Sequence, residues 1–110
     1  LPVFSDGAVF LAHDGARLTA LSTDGLTELW EAGLGDYPGG GAVLFGGTIL
    51  CPTWFGALRG YDAGDGSRLW ELKLGGMCDA PPAGDDEGRL FILRRDGLLV
   101  AYRISREAGP

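Results

Sequence analysis

Few side chains in this 110-residue chain offer chemistry beyond packing: one histidine, two cysteines and one short acidic run. His13 is followed by Asp14. Neighbours along a strand point to opposite faces, so the two make no catalytic dyad and His13 reads as a surface or turn residue. Cys51 and Cys78 lie far apart, with no Cys-x-x-Cys step and no second histidine to complete a zinc set. Cys51 stands in an apolar strand and reads as a small buried hydrophobe, whereas Cys78 stands in a loop and is the more reactive position. A disulfide between them is left open. Asp85-Asp86-Glu87 has the charge to hold a cation weakly, but reads as a solvated acidic turn whose repulsion water screens. No serine or cysteine sits in a nucleophile motif. The chain holds no Asn and no Gln, which removes the amide ligands of many metal and sugar sites. These residue types predict no catalytic, cofactor-binding or metal-binding residue.

The elements that position these side chains are strands. Trp30 and Trp70 are 40 residues apart, as are Leu21 and Tyr61, and Tyr102 follows Tyr61 by 41. No stretch repeats apolar residues at helical spacing over three turns. Short alternating runs recur instead: 2–4, 8–13, 17–22 and 27–32, then 41–45, 48–53, 57–62 and 68–74, then 80–83, 89–94 and 98–104. Asp14-Gly15, Asp24-Gly25, Asp65-Gly66, Asp96-Gly97 and Gly46-Gly47 punctuate them, because a tight hairpin demands the positive φ that glycine supplies. Strand, tight turn, strand at a period near 40 predicts an all-β chain of four-stranded antiparallel meanders, the blades of a β-propeller. The expected division is blade 1 over 1–34, blade 2 over 35–75, an incomplete blade 3 over 76–104 and a tail over 105–110. That is a partial ring of about 2.75 blades.

The 45% hydrophobic content supports one modest core, and no apolar run is long enough to span a membrane. A net charge of −6 repels nucleic acid and anionic lipid alike.

The segment "GYDAGDGSRLWELKLGG" resembles the tryptophan-docking motif of the quinoprotein (PQQ)-like propeller repeat, with Gly60, Asp62, Gly66 and Trp70 in the Ala, Asp, Gly and Trp places. The first copy matches more loosely: Ala20 fits, Ser22 replaces the Asp, and Gly25 comes one position early relative to Trp30. The third keeps only Ala101 and Tyr102. The resemblance implies that Trp30 and Trp70 are packing residues that bridge one blade to the next, with Asp62 and Gly66 building the turn. In the quinone-dependent dehydrogenases of this family a quinone and calcium sit at the ring centre. Nothing here carries those ligands over, so PQQ and calcium are expected only if other blades supply the site. The family also includes non-enzymatic outer-membrane assembly scaffolds, kinase sensor domains and propeller tails of adenylate-forming enzymes. The resemblance therefore implies a non-catalytic binding, scaffold or sensor module and leans towards an extracytoplasmic location. The alternatives are a piece of a dehydrogenase or an enzyme's propeller tail.

In a four-stranded blade the loop entering the inner strand and the loop between strands two and three share one end. That end gathers Tyr37, Trp54, Phe55, Met77, Asp79 and Arg95, with His13 and Asp36 nearby. Exposed aromatics beside charges predict a binding face for a protein or small ligand. The remaining partners expected are further propeller blades.

Overall fold

The computed structural model describes residues 3–5, 7–13, 17–35, 41–77, 82–85 and 87–103. Eleven strands follow in chain order: β1 (Val3–Ser5), β2 (Ala8–His13), β3 (Arg17–Ser22), β4 (Glu28–Gly33), β5 (Val43–Phe45), β6 (Thr48–Pro52), β7 (Ala57–Asp62), β8 (Arg68–Lys73), β9 (Ala83–Gly84), β10 (Arg89–Leu93) and β11 (Leu99–Arg103). They form sheets ordered β1-β2-β3-β4, β5-β6-β7-β8 and β11-β10-β9, each pair antiparallel. This is the partial propeller expected from the period and the turns. Strand ends differ from the sequence reading by a residue or two; Asp14, Gly15 and residues 80–81 of the first expected strand of the third copy lie outside the described residues.

Turn chemistry sets the register. Phe45 pairs with Thr48 across Gly46 and Gly47, whose φ values of 55° and 83° are those of a two-residue hairpin with left-handed residues at both corners. The outer turns of sheets 1 and 2 are also matched: Leu21 pairs with Glu28 and Ala20 with Trp30, as Tyr61 pairs with Arg68 and Gly60 with Trp70, each past a bulge.

Strand alternation then sends two apolar faces outward from each sheet. From β6, which is buried along its whole length, Ile49 and Cys51 turn towards sheet 1 and Leu50 towards sheet 3. The first seam packs Phe10, Leu18 and Ala20 with Leu34, Ile49, Cys51 and Tyr61; the second packs Leu50 and Leu58 with Leu74, Leu90 and Ile92. Each fully buried side chain of this size stabilises by roughly 1.5–3 kcal/mol relative to exposure, so the seams hold the sheets together. Tyr61 adds a hydrogen bond from its hydroxyl to the Gly33 carbonyl at 3.1 Å, closing the first seam.

The early glycine of the first copy has a consequence at Leu26. In register with Gly66 (φ 79°), Leu26 carries a φ of 56° and is 65% exposed. A side chain in the left-handed region costs ~1–2 kcal/mol, and glycine returns part of that as unfolded-chain entropy. Leu26→Gly is expected to gain about 0.5 kcal/mol, a rise of about 2–4 °C in Tm by circular dichroism. A fall would show that Leu26 makes a contact worth more than its strain.

Candidate functional site

At one end of the sheets two hairpins stand side by side. Thr53–Ala57 joins β6 to β7 and Arg94–Leu98 joins β10 to β11, with the same pair of backbone bonds: Thr53 N to Ala57 O (2.7 Å) and Gly56 N to Thr53 O (3.1 Å), Arg94 N to Leu98 O (2.9 Å) and Gly97 N to Arg94 O (3.0 Å). Gly56 and Gly97 take φ values of 96° and 92°. Each hairpin also needs an oxygen for the amide that starts the outgoing strand. In the third sheet Asp96 supplies it, accepting from Leu98 N at 3.2 Å. In the second the buried Thr53 hydroxyl accepts from Ala57 N at 3.0 Å. The side chain at position 55 therefore does not supply this oxygen, and Phe55 stands there 74% exposed.

The strap between sheets 2 and 3 ties the hairpins together. Leu74 N donates to Gly56 O (2.7 Å), Arg95 N donates to Met77 O (2.8 Å), and Arg94 Nη1 donates to Leu74 O (3.2 Å) while its other nitrogens meet Asp96. A Cβ on Gly56 would lie 2.7 Å from the Gly76 carbonyl, so only glycine permits this approach. On this frame the Arg95 guanidinium lies 5.0 Å from the centre of the Trp54 ring, a cation–π stack between residues of adjacent sheets. Trp54, Phe55, Met77 and Arg95 therefore share one rim; Tyr37 and Asp79 lie outside the described residues, as do Asp36 and Cys78.

The other candidate residues have structural company. His13 Nε2 lies 3.0 Å from Thr19 Oγ1, which donates to Glu31 at 3.4 Å, and Arg17 pairs with Glu31 at 2.8 Å. Cys51 carries a free buried thiol, and burial pushes its pKa up to about 12, well away from a nucleophile's range. The acidic run is an exposed turn with a cation beside it. Arg89 lies 2.6 Å from Asp85 Oδ2 and 3.0 Å from Glu87 Oε2. Asp86 lies outside the described residues.

The tryptophans meet different surroundings. Trp30 crosses the first seam: its Nε1 donates to Ala63 O at 3.1 Å and its ring rests on Gly66, where a Cβ would sit 2.4 Å from Cε3. Gly66 is thus both a turn former for its own sheet and a seat for the indole of the sheet before. Asp62 organises the same turn, its Oδ1 accepting from Gly64 N at 2.7 Å and its carbonyl from Gly66 N at 2.8 Å. Trp70 lies over Gly60 of its own sheet, with its Nε1 buried and without a hydrogen-bond partner among the described residues.

Among the described residues, Glu71, Asp65, Asp85 and Asp96 sit below their ordinary range. Glu71 is held down by the Arg59 side chain, Asp65 by the Ser67 amide, Asp85 by the Arg89 amide and Asp96 by the Arg94 side chain. Depressed carboxylates contribute stability that is present above the unfolded-state values, about 4, and is lost as pH falls through the folded ones. Tm is accordingly expected to stay level from pH 7 to 5 and to drop between pH 4 and 2. A level Tm throughout would mean that these contacts do not form in solution.

A ring-centre quinone with calcium needs carboxylates or amides on the inner strands. Val3–Ser5, Val43–Phe45 and Ala83–Gly84 bring neither, so the described residues do not fit that group.

Three comparisons bear on this architecture. The family model of the outer membrane protein assembly factor BamB matches residues 54–108. A BamB from Nitrosomonas eutropha is 32% identical over 99 residues, covering 90% of this chain and 24% of that protein. The chain thus spans about a quarter of that relative's length. Among solved structures, BamB from Moraxella catarrhalis superposes with a TM-score of 0.80 at 17% identity, over 93% of this chain and 30% of that one. The quinohemoprotein alcohol dehydrogenase of Comamonas testosteroni gives 0.78 at 21% identity, over 93% and 18%. At these identities the structural likeness speaks for the fold alone.

Proposed function

The chain belongs to the outer membrane protein assembly factor BamB family of PQQ-like repeats, and on that premise we propose that it is a non-catalytic β-propeller module that holds a protein partner on the Trp54 rim. The observation that carries this reading is Phe55. It stands exposed in its hairpin beside the Trp54–Arg95 stack, on the rim that Met77 shares. Rigid aromatics next to arginine are the residues that dominate binding energy at protein interfaces. The opposite end carries short acidic turns with Asp24, Asp65 and Glu87 exposed, and the large apolar side chain exposed in them is the aliphatic Leu26. The family supports a scaffold role and an extracytoplasmic location, since the relatives are named as assembly factors of the outer membrane. In this reading the three sheets are one arc of a ring, and further blades complete it.

Site-specific photocrosslinking tests the rim. A benzophenone amino acid placed at position 55 is expected to capture a discrete protein adduct in intact cells, and one placed at Asp24 to capture none. Trp54→Ala should weaken that adduct's binding by ~2 kcal/mol or more, about thirtyfold. Equal adducts from both ends would refute the rim as the binding surface. Dye-linked alcohol oxidation dependent on added quinone and calcium would refute the non-catalytic reading.

A further inference from the structure

The strap between sheets 2 and 3 lies across one side chain. Arg94 begins the hairpin of sheet 3, and its side chain is only 18% exposed. Its Nη1 donates to the Leu74 carbonyl at 3.2 Å, while its Nε and Nη2 donate to Asp96 Oδ1 and Oδ2. The strap runs close over the guanidinium: a Cβ on Gly75 would lie 3.2 Å from Nη1, and one on Gly76 would lie 2.8 Å from Nε. One planar fork thus joins the carbonyl of the strap to the carboxylate of the hairpin, a geometry that a single ammonium does not reproduce. Thr53 holds the same place in the hairpin of sheet 2, and there the hydroxyl accepts from Ala57 N of its own turn. In sheet 3 Asp96 serves the corresponding amide, Leu98 N, and the side chain at position 94 reaches across the seam.

The first seam repeats the arrangement from a different strand. Leu34 and Gly35 (φ 72°) stand in its strap as Leu74 and Gly75 (φ 77°) stand in the second, with both leucines buried. Arg59 lies against Gly35, where a Cβ would be 3.1 Å from its Nη1, and Glu71 anchors it at 2.7 Å. Val100 holds the matching place in sheet 3. Two arginines from unlike repeat positions therefore meet the two straps at the same point, each anchored by a carboxylate of its own repeat. That recurrence links the arginine to the strap and not to the turn of one hairpin.

The second strap holds both halves of the rim. Leu74 N donates to Gly56 O in the hairpin of Trp54 and Phe55, and Met77 O accepts from Arg95 N. We propose that Arg94 is the positioning residue of the rim: it fixes the strap against its own hairpin, so that Arg95 stays over Trp54 and Met77 stays beside them. The inference rests on the rim as a protein-binding surface and names what pre-forms it. A surface already held in its bound geometry loses less freedom when a partner arrives.

Amide hydrogen exchange of the intact protein tests it in two variants. Arg94→Lys keeps the charge and loses the fork; Asp96→Asn keeps an oxygen for Leu98 N and loses the anchor. In both, the amides of Leu74 and Arg95 are expected to exchange about tenfold faster or more, as the loss of one charge-assisted hydrogen bond implies, while the amides of β6 keep their wild-type rates. The adduct captured by benzophenone at position 55 should fall about threefold or more in each variant. Faster exchange throughout β6 would make Arg94 a general support of the fold and overturn the positioning role, as would unchanged rates at Leu74 and Arg95. Open rim amides with an undiminished adduct would overturn it too, because the partner would then not read the geometry that Arg94 sets. No adduct from the wild type, with the exchange result as expected, would instead overturn the rim as a binding surface and leave Arg94 as the residue that holds it.

Discussion

Trp30→Ala is expected to cost about 3–5 kcal/mol, the range for deleting a large packed aromatic. That is a large part of the stability of a chain this size, roughly 5–15 kcal/mol. Three contributions go together. The ring leaves Gly66 and its tilted packing against Phe10 at 5.8 Å, the Ala63 carbonyl loses its donor, and a space opens along the first seam. Denaturant unfolding followed by circular dichroism measures it. A loss under about 1 kcal/mol would mean that the seam holds without the indole.

Gly66→Ala should be nearly as damaging although it adds only a methyl group. The position has a φ of 79°, where any side chain costs ~1–2 kcal/mol, and the new Cβ would begin 2.4 Å from Trp30 Cε3, which demands a shift of the ring worth roughly 1–3 kcal/mol more. The two costs separate in a double-mutant cycle. With Trp30 already replaced by alanine, Gly66→Ala should retain only the backbone cost. Full additivity of the two substitutions would show that the indole does not rest on this glycine.

The strands and hairpins were legible because their causes are local. Alternation over "AVFLAH", "RLTALS" and "ALRGYD" gave β2, β3 and β7 to the residue, and glycine steps such as Gly46-Gly47 marked a hairpin by the one property only glycine has. What stayed hidden depends on contacts between sheets or between side chains of one turn. The seat of Trp30 is Gly66, in the next repeat, and no pattern within one repeat points across the seam. The misplaced Gly25 was visible as an irregular spacing, but that Leu26 then takes the left-handed corner follows only from the matched register of β3–β4 and β7–β8. The acidic run gave no hint that Arg89 would fold back between Asp85 and Glu87. At the rim, blade topology alone groups Trp54, Phe55, Met77 and Arg95. The stack of Arg95 on Trp54 and the Thr53 cap on Ala57 needed coordinates, because both depend on where a side chain lies and not on its type.

Some aromatics hold the arc together and others face a partner, and parallel melts of Trp30→Ala and Trp54→Ala test that division most directly. Trp54 gives up a cation–π contact at the surface, ~0.5–1 kcal/mol, while Trp30 gives up a seam. The predicted result is a Tm loss for Trp54→Ala of no more than about a third of that for Trp30→Ala, scaling at roughly 4–8 °C per kcal/mol. Equal losses would contradict the account: Trp54 would then be packing between sheets 2 and 3, and the rim would hold no residue set aside for binding.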